Sequence, residues 1–162
     1  MIRPATPADL AAVTEIYDHY VTTSTVTWRY ELDDGWAART LAEVTEAGRP
    51  FLVLDDADGV QGFAYLGIFR GRAGWSHTAE DTIYLRETAA GRGYGTALLQ
   101  ALLDAADTTD VHEVIGMISA DAESSLALHA KLGFVESGRL PGVGNKFGQT
   151  LDCVLMQRSL IR

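Results

Sequence analysis

A single α/β domain of the α+β kind, a mixed sheet with helices packed on it, is what this sequence predicts. Three observations lead there. Runs rich in β-branched and other apolar residues, bounded by turn residues, read as strands at 51–54, 60–69, 78–86, 111–118, 134–139 and 151–158. Segments with apolar residues three and four apart read as helices. The order is strand, two helices, three strands, helix, strand, helix, two strands, which suits a mixed sheet with helices on it.

Each element has its own justification. Residues 2–5 form a short first strand. Thr6-Pro7-Ala8-Asp9 carries the marks of a helix start: Thr as N-cap, Pro at the first helical position, and an acid three residues past the cap. Leu10, Val13, Ile16, Tyr17 and Tyr20 continue that helix on one apolar face. Residues 22–27, rich in hydroxyls and β-branched side chains, fit a loop or irregular extension. Asp33 or Asp34 caps a second helix carrying Trp36, Leu41 and Val44. Residues 51–54 and 60–69 then make a hairpin around a turn at 55–59. A strand at 78–86, a helix over 93–106 and a strand at 111–118 follow. A helix over 123–132 is stopped by Gly133, and two strands end the chain.

The 162 residues suit one domain, residues 1–162, with no repeat, low-complexity segment or linker. A formal charge of -9 argues against nucleic acid or an acidic membrane surface as partner, since both would be repelled. No window approaches the roughly 18 apolar residues that a membrane helix needs, and the N-terminal MIRPATPADL has no apolar core of a signal peptide. With one cysteine, Cys153, no internal disulfide can form, and a cytoplasmic location is expected. Cys153 lies among apolar residues and reads as a buried structural thiol. The four histidines show no metal-ligand spacing, so no metal is expected.

The run RETAAGRGYGTALLQALL, between strand and helix, raises the main chemical question. A helix start offers main-chain N–H groups without partners and a partial positive charge. Missing β-carbons let a ligand's phosphates come close to them. The run therefore suggests a pyrophosphate cradle, or simply a sharp glycine corner. A P-loop would need Gly-Lys-Ser/Thr, and no lysine is present. A dinucleotide fingerprint would need a third glycine where Thr96 stands.

The segment Ala90-Gly91-Arg92-Gly93-Tyr94-Gly95 instead resembles the acyl-CoA loop of the GCN5-related N-acetyltransferases, Gln/Arg-x-x-Gly-x-Gly/Ala, with Ala90 replacing the first residue. The resemblance extends over nearly the whole chain. IRPATPADLAAVTEIYDHYVTTSTVTWRYE, TAEDTIYL, LHAKLGF and GNKFGQTLD are similar to the phosphinothricin and methionine-sulfone N-acetyltransferase branch. It implies a mainly antiparallel sheet in which two strands splay to form the acyl-CoA site. Acetyl-CoA is the implied co-substrate, a small amino-acid-like amine the implied acceptor, and a homodimer the implied assembly, with Lys146 to Gly148 contributing.

Acetyl transfer needs a neutral amine, a donor to the thioester carbonyl and a proton for the leaving thiolate. The resemblance assigns the base to Glu80, acting directly or through a water, and the acid to His129, with Ser125 one helical turn earlier. His129 equally fits a capped structural histidine. Alternation along the strand turns Asp81 to the opposite face from Glu80. Ile83, Tyr84 and Leu85 are implied to hold the pantetheine arm, and Gly91, Arg92, Gly93, Tyr94, Gly95 and Thr96 the diphosphate. Arg86 reads as a surface charge. Trp28, Arg72 and Trp75 stand at acceptor positions.

Departures from the branch bear on affinity and specificity. Ala122 replaces a usual Asn and removes about one hydrogen bond, a net of about 0.5–1.5 kcal/mol. Ser76 and Thr150 replace a common Arg and Trp. The same chemistry on another amine, such as a polyamine or a protein N-terminus, or a non-catalytic acyl-CoA-binding domain, are the competing readings.

Overall fold

The computed structural model describes residues 1–162. Seven strands form one sheet in the order β1-β2-β3-β4-β5-β7-β6, and every neighbouring pair is antiparallel except β4 with β5. The strands are β1 (Ile2–Pro4), β2 (Phe51–Asp56), β3 (Gly59–Ile68), β4 (Thr78–Leu85), β5 (Glu113–Ser119), β6 (Val135–Lys146) and β7 (Gln149–Ser159). The helices are α1 (Leu10–Thr23), α2 (Trp36–Glu46), α3 (Tyr94–Asp104) and α4 (Glu123–Lys131). No helix is long and apolar enough to cross a membrane.

Period-2 alternation divides the core between the two faces of the sheet. Phe51, Val53 and Phe63 pack against Val13, Ile16 and Trp36 of α1 and α2. Leu52, Leu54, Ala64 and Leu66 face the other way, against Leu98, Leu99 and Leu102 of α3. The sheet is thus sandwiched between helix pairs.

Local departures from the sequence reading have identifiable causes. Residues 7–9 form a 3-10 turn, and α1 proper starts at Leu10. Asp9 reaches back to the Thr6 N–H at 2.8 Å and is gripped by both terminal nitrogens of Arg3, each at 2.8 Å. Neither Asp33 nor Asp34 caps α2. Gly35 does, in the left-handed region (φ 73°), while the Asp33 carboxylate and the Asp34 carbonyl bind Arg39. Helix α1 runs on through Thr23, because Thr22 and Thr23 turn their hydroxyls to carbonyls one turn back. The sixth strand extends past residue 139, through Pro141, with an irregularity between Leu140 and Gly144. It is an edge strand, where a proline forfeits no ladder bond.

Candidate active site

The sheet itself opens a cleft. β4 and β5 pair only through Thr78↔Glu113, Ala79↔Val114 and Glu80↔Ile115, and then part. β4 stays on β3 as far as Leu85↔Gly62. The Arg86 N–H donates to the Gln61 carbonyl at 2.8 Å, so the even-numbered residues of β4 turn their main-chain groups to β3. Those of Asp81, Ile83 and Leu85 face the gap. Tyr20, from α1, donates its hydroxyl to the Leu85 carbonyl at 2.6 Å. The Leu85 N–H also points into the opening.

The glycine turn closes one end of this cleft, whose volume is about 810 Å³. Gly91 and Gly93 have φ of 75° and 78°, in the left-handed region, where other residues lose about 1–2 kcal/mol. A β-carbon on either would meet nothing within 4 Å. The first bond closing the α3 turn runs from the Ala97 N–H to the Gly93 carbonyl. The N–H groups of Tyr94, Gly95 and Thr96 are therefore left without helical partners at the positive end of α3. This bare, amide-rich turn fits a diphosphate, and the splayed edge of β4 fits an amide-bearing arm.

Two titratable groups meet the cleft from opposite sheet faces. Glu80 sits at the last β4–β5 pair, on the face of Tyr65 and Tyr84. Partial burial, then the charge of Asp81, raises its pKa above the ordinary carboxylate value. On the other face His129 is 2% exposed. Its Nε2 lies 2.9 Å from Asp81 Oδ2, and its Nδ1 lies 2.7 Å from the Ser125 carbonyl. Burial works against the imidazolium, but Asp81 and the Ser125 carbonyl outweigh it, and the His129 pKa is raised.

Residues 2–155 match the family model described as an acetyltransferase (GNAT) domain. The chain belongs to the GNAT acetyltransferase family. It is 39% identical over 162 residues to the L-methionine sulfoximine/L-methionine sulfone acetyltransferase of Pseudomonas aeruginosa, covering 98% of this chain and 94% of that one. To the L-amino acid N-acyltransferase MnaT of Escherichia coli it is 38% identical over 165 residues, with 98% and 93% covered. Among solved structures, a phosphinothricin acetyltransferase from Sinorhizobium meliloti in complex with acetyl-CoA superposes with a TM-score of 0.93. That match has 35% identity and covers 98% of this chain and 87% of the other.

Within this GNAT enzyme the residues expected from sequence divide in two. Glu80, His129, Ile83, Tyr84, Leu85, Gly91, Gly93, Gly95, Thr96 and Trp28 all border the one cleft. The side chains of Arg92 and Tyr94 turn out of it, because Asp56 on β2 attracts both. Tyr94 donates to Asp56 Oδ2 at 3.1 Å, and Arg92 lies 3.7 Å from the same oxygen, over the Tyr94 ring. At the glycine turn the cleft accordingly presents main chain, without the arginine. Arg72 and Trp75 also stand outside the cleft. They follow the last β3–β4 pair, Ile68↔Ala79, where the connection runs into solvent and Trp75 packs edge-on to Phe69. Arg86 borders the cleft, with its guanidinium held by Glu15 at 2.7 and 3.1 Å.

The GNAT cleft also has walls that sequence reasoning missed. Arg29, beside Trp28, and Tyr17 and Tyr65 line it. Lys146, 1% exposed, donates to the Thr27 carbonyl at 3.1 Å and ties this loop to the end of β6. The aromatic content of α1 was visible in sequence, but its direction was not. A separate hollow of about 530 Å³ near Lys131, Gln157 and Arg158 is mainly polar, and from its wall Lys131 donates to the Thr96 hydroxyl at 3.4 Å.

Proposed function

We propose that this GNAT enzyme transfers the acetyl group of acetyl-CoA to the α-amino group of a small L-amino-acid substrate, of the phosphinothricin or methionine sulfone and sulfoximine type. The reading rests on one observation above all: the Glu80 carboxylate and the amide-lined glycine turn open onto the same cleft at the parting of β4 and β5. Acetyl-CoA supplies an acyl group activated as a thioester. The free N–H groups of Tyr94, Gly95 and Thr96 hold the diphosphate. The main chain of Ile83 and Leu85 aligns the arm, and the Leu85 N–H donates to the carbonyl under attack.

Glu80 accepts the proton of the incoming ammonium, directly or through a water. Its raised pKa brings its basicity nearer to that task. His129, paired with Asp81, stands on the opposite side as the source of a proton for sulfur. Trp28, Tyr17 and Tyr65 wall the acceptor pocket. Arg29 is the cation there able to meet a substrate carboxylate.

A single assay series tests the reading. Thiol release is measured with phosphinothricin, methionine sulfone, ordinary amino acids, polyamines and an N-terminal peptide. Turnover confined to the first three classes supports it. Turnover only with polyamines or peptide overturns the acceptor assignment. Acetyl-CoA binding without thiol release from any amine overturns the enzymatic one.

The assembly we infer is a homodimer, working in the cytoplasm. Val135, Leu140 and Val143 on β6 and Phe147 in the following turn are exposed apolar side chains, which supports the dimer. The single cysteine agrees with a reducing compartment.

A further inference from the structure

Asp81 enters the reading above only through its charge on Glu80 and as the partner of His129, yet it is 7% exposed and sits where the two strands separate. Opposite it on β5 is Gly116. A β-carbon there would lie 3.1 Å from Asp81 Oδ1 and 3.2 Å from the His129 ring, so only glycine leaves both side chains undisturbed. The Asp81 Oδ1 atom is buried without a partner, and both Asp81 and His129 border the cleft.

Hydrogen-bond chemistry fixes the protons of this pair. The Ser125 carbonyl can only accept, so the 2.7 Å contact requires a proton on Nδ1. A carboxylate can also only accept, so the 2.9 Å contact requires a second proton between Nε2 and Oδ2. Either neutral tautomer against ionised Asp81 would set a nitrogen lone pair against an oxygen lone pair. Asp81 is the charged group facing the ring. β5 presents Gly116, α4 its own Ser125, and the segment after α4 the Phe134 ring, edge-on at 4.9 Å. The balance of burial against Asp81 on His129 points the same way.

We infer that Asp81 is a positioning residue of the transferase: with His129 it stores one shared proton beside the cleft, and that proton goes to the departing sulfur. This rests on the acetyl-transfer reading. As the C–N bond forms and the C–S bond breaks, the amine nitrogen loses its excess proton through Glu80, and the pair gives its own to sulfur. The pair is left as imidazole, protonated on Nδ1, against a carboxylate. It regains a proton from water while Glu80 releases one to water, so the enzyme ends unchanged.

The test begins with the free wild-type protein, which needs no substrate. Nitrogen-15 NMR of the His129 ring at pH 7.5 should find both nitrogens protonated, where an ordinary histidine of pKa near 6.5 is only about one-tenth imidazolium. A singly protonated ring at that pH overturns the inference, whatever the enzyme acetylates. In Asp81→Asn the second ring proton should be lost at pH 7.5. The basic limb of kcat/KM should move to lower pH, and kcat at pH 8 should fall at least tenfold with acetyl-CoA affinity unchanged. An unmoved basic limb in a folded Asp81→Asn enzyme also overturns it. If that variant does not fold, Asp81→Ser takes its place, and the wild-type NMR result decides regardless. Absence of turnover by the wild type with every amine would count against the proposed function alone.

Discussion

At the scale of single residues, Glu80 and Asp81 show how one step along a strand separates two chemical roles. Consecutive side chains leave a strand on opposite faces, so two adjacent carboxylates meet different elements. Glu80 faces the aromatic side and carries a raised pKa from burial and from its neighbour's charge. A base is active only when deprotonated. The acid limb of kcat/KM should therefore lie above the ordinary glutamate value near 4.3, with activity lost as the pH falls through it. Glu80→Gln should remove that limb and lower kcat by about 10²–10⁴-fold while acetyl-CoA still binds, as measured by thiol release and calorimetry. The alternation was legible in sequence, and so was His129 as a candidate. The bond from Asp81 to His129 joins residues 48 positions apart, and no local pattern encodes such a contact.

Among the elements, the start of α3 makes the sharpest claim. Gly93 combines a left-handed φ with open space where a side chain would project. Gly93→Ala should raise the acetyl-CoA Kd at least tenfold by calorimetry and leave the acceptor KM nearly unchanged, since the added methyl strains the left-handed turn and intrudes on the proposed diphosphate path. The start of α1 depends on a charge. Arg3 and the Thr6 N–H hold the Asp9 pKa far below its ordinary value. That stabilisation is complete above about pH 4, the unfolded value, and is lost as the pH falls through the depressed folded one. Asp9→Asn should cost about 1.5–3 kcal/mol in urea unfolding at pH 7, with a smaller difference at pH 2. The spacing of Thr6 and Asp9 announced this start. The Asp33 and Asp34 alternatives failed at α2, since a left-handed glycine provides the entry and the nearby arginine competes for the acids. β6 runs past residue 139 through Pro141 because it lies at the edge of the sheet, and that edge position is a property of the assembled sheet.

For the whole molecule, the exposed apolar residues of β6 carry the expectation about assembly. Light scattering after gel filtration should give twice the chain mass, and Val143→Asp should return it to one chain. A monomeric wild-type protein would remove the dimer from the account. The sequence by itself determined the strand and helix inventory and the glycine turn at the mouth of α3, because these depend on local periodicity and backbone freedom, and it offered Glu80 and His129 as candidates through the family resemblance. Tertiary structure alone decided that β4 and β5 part after Glu80, that Asp56 draws Arg92 and Tyr94 out of the cleft, that Arg72 and Trp75 stand outside it, and that Asp81 binds His129. Each of those outcomes is a contact between distant parts of the chain, settled by which surfaces the packed sheet brings within hydrogen-bond or ion-pair reach.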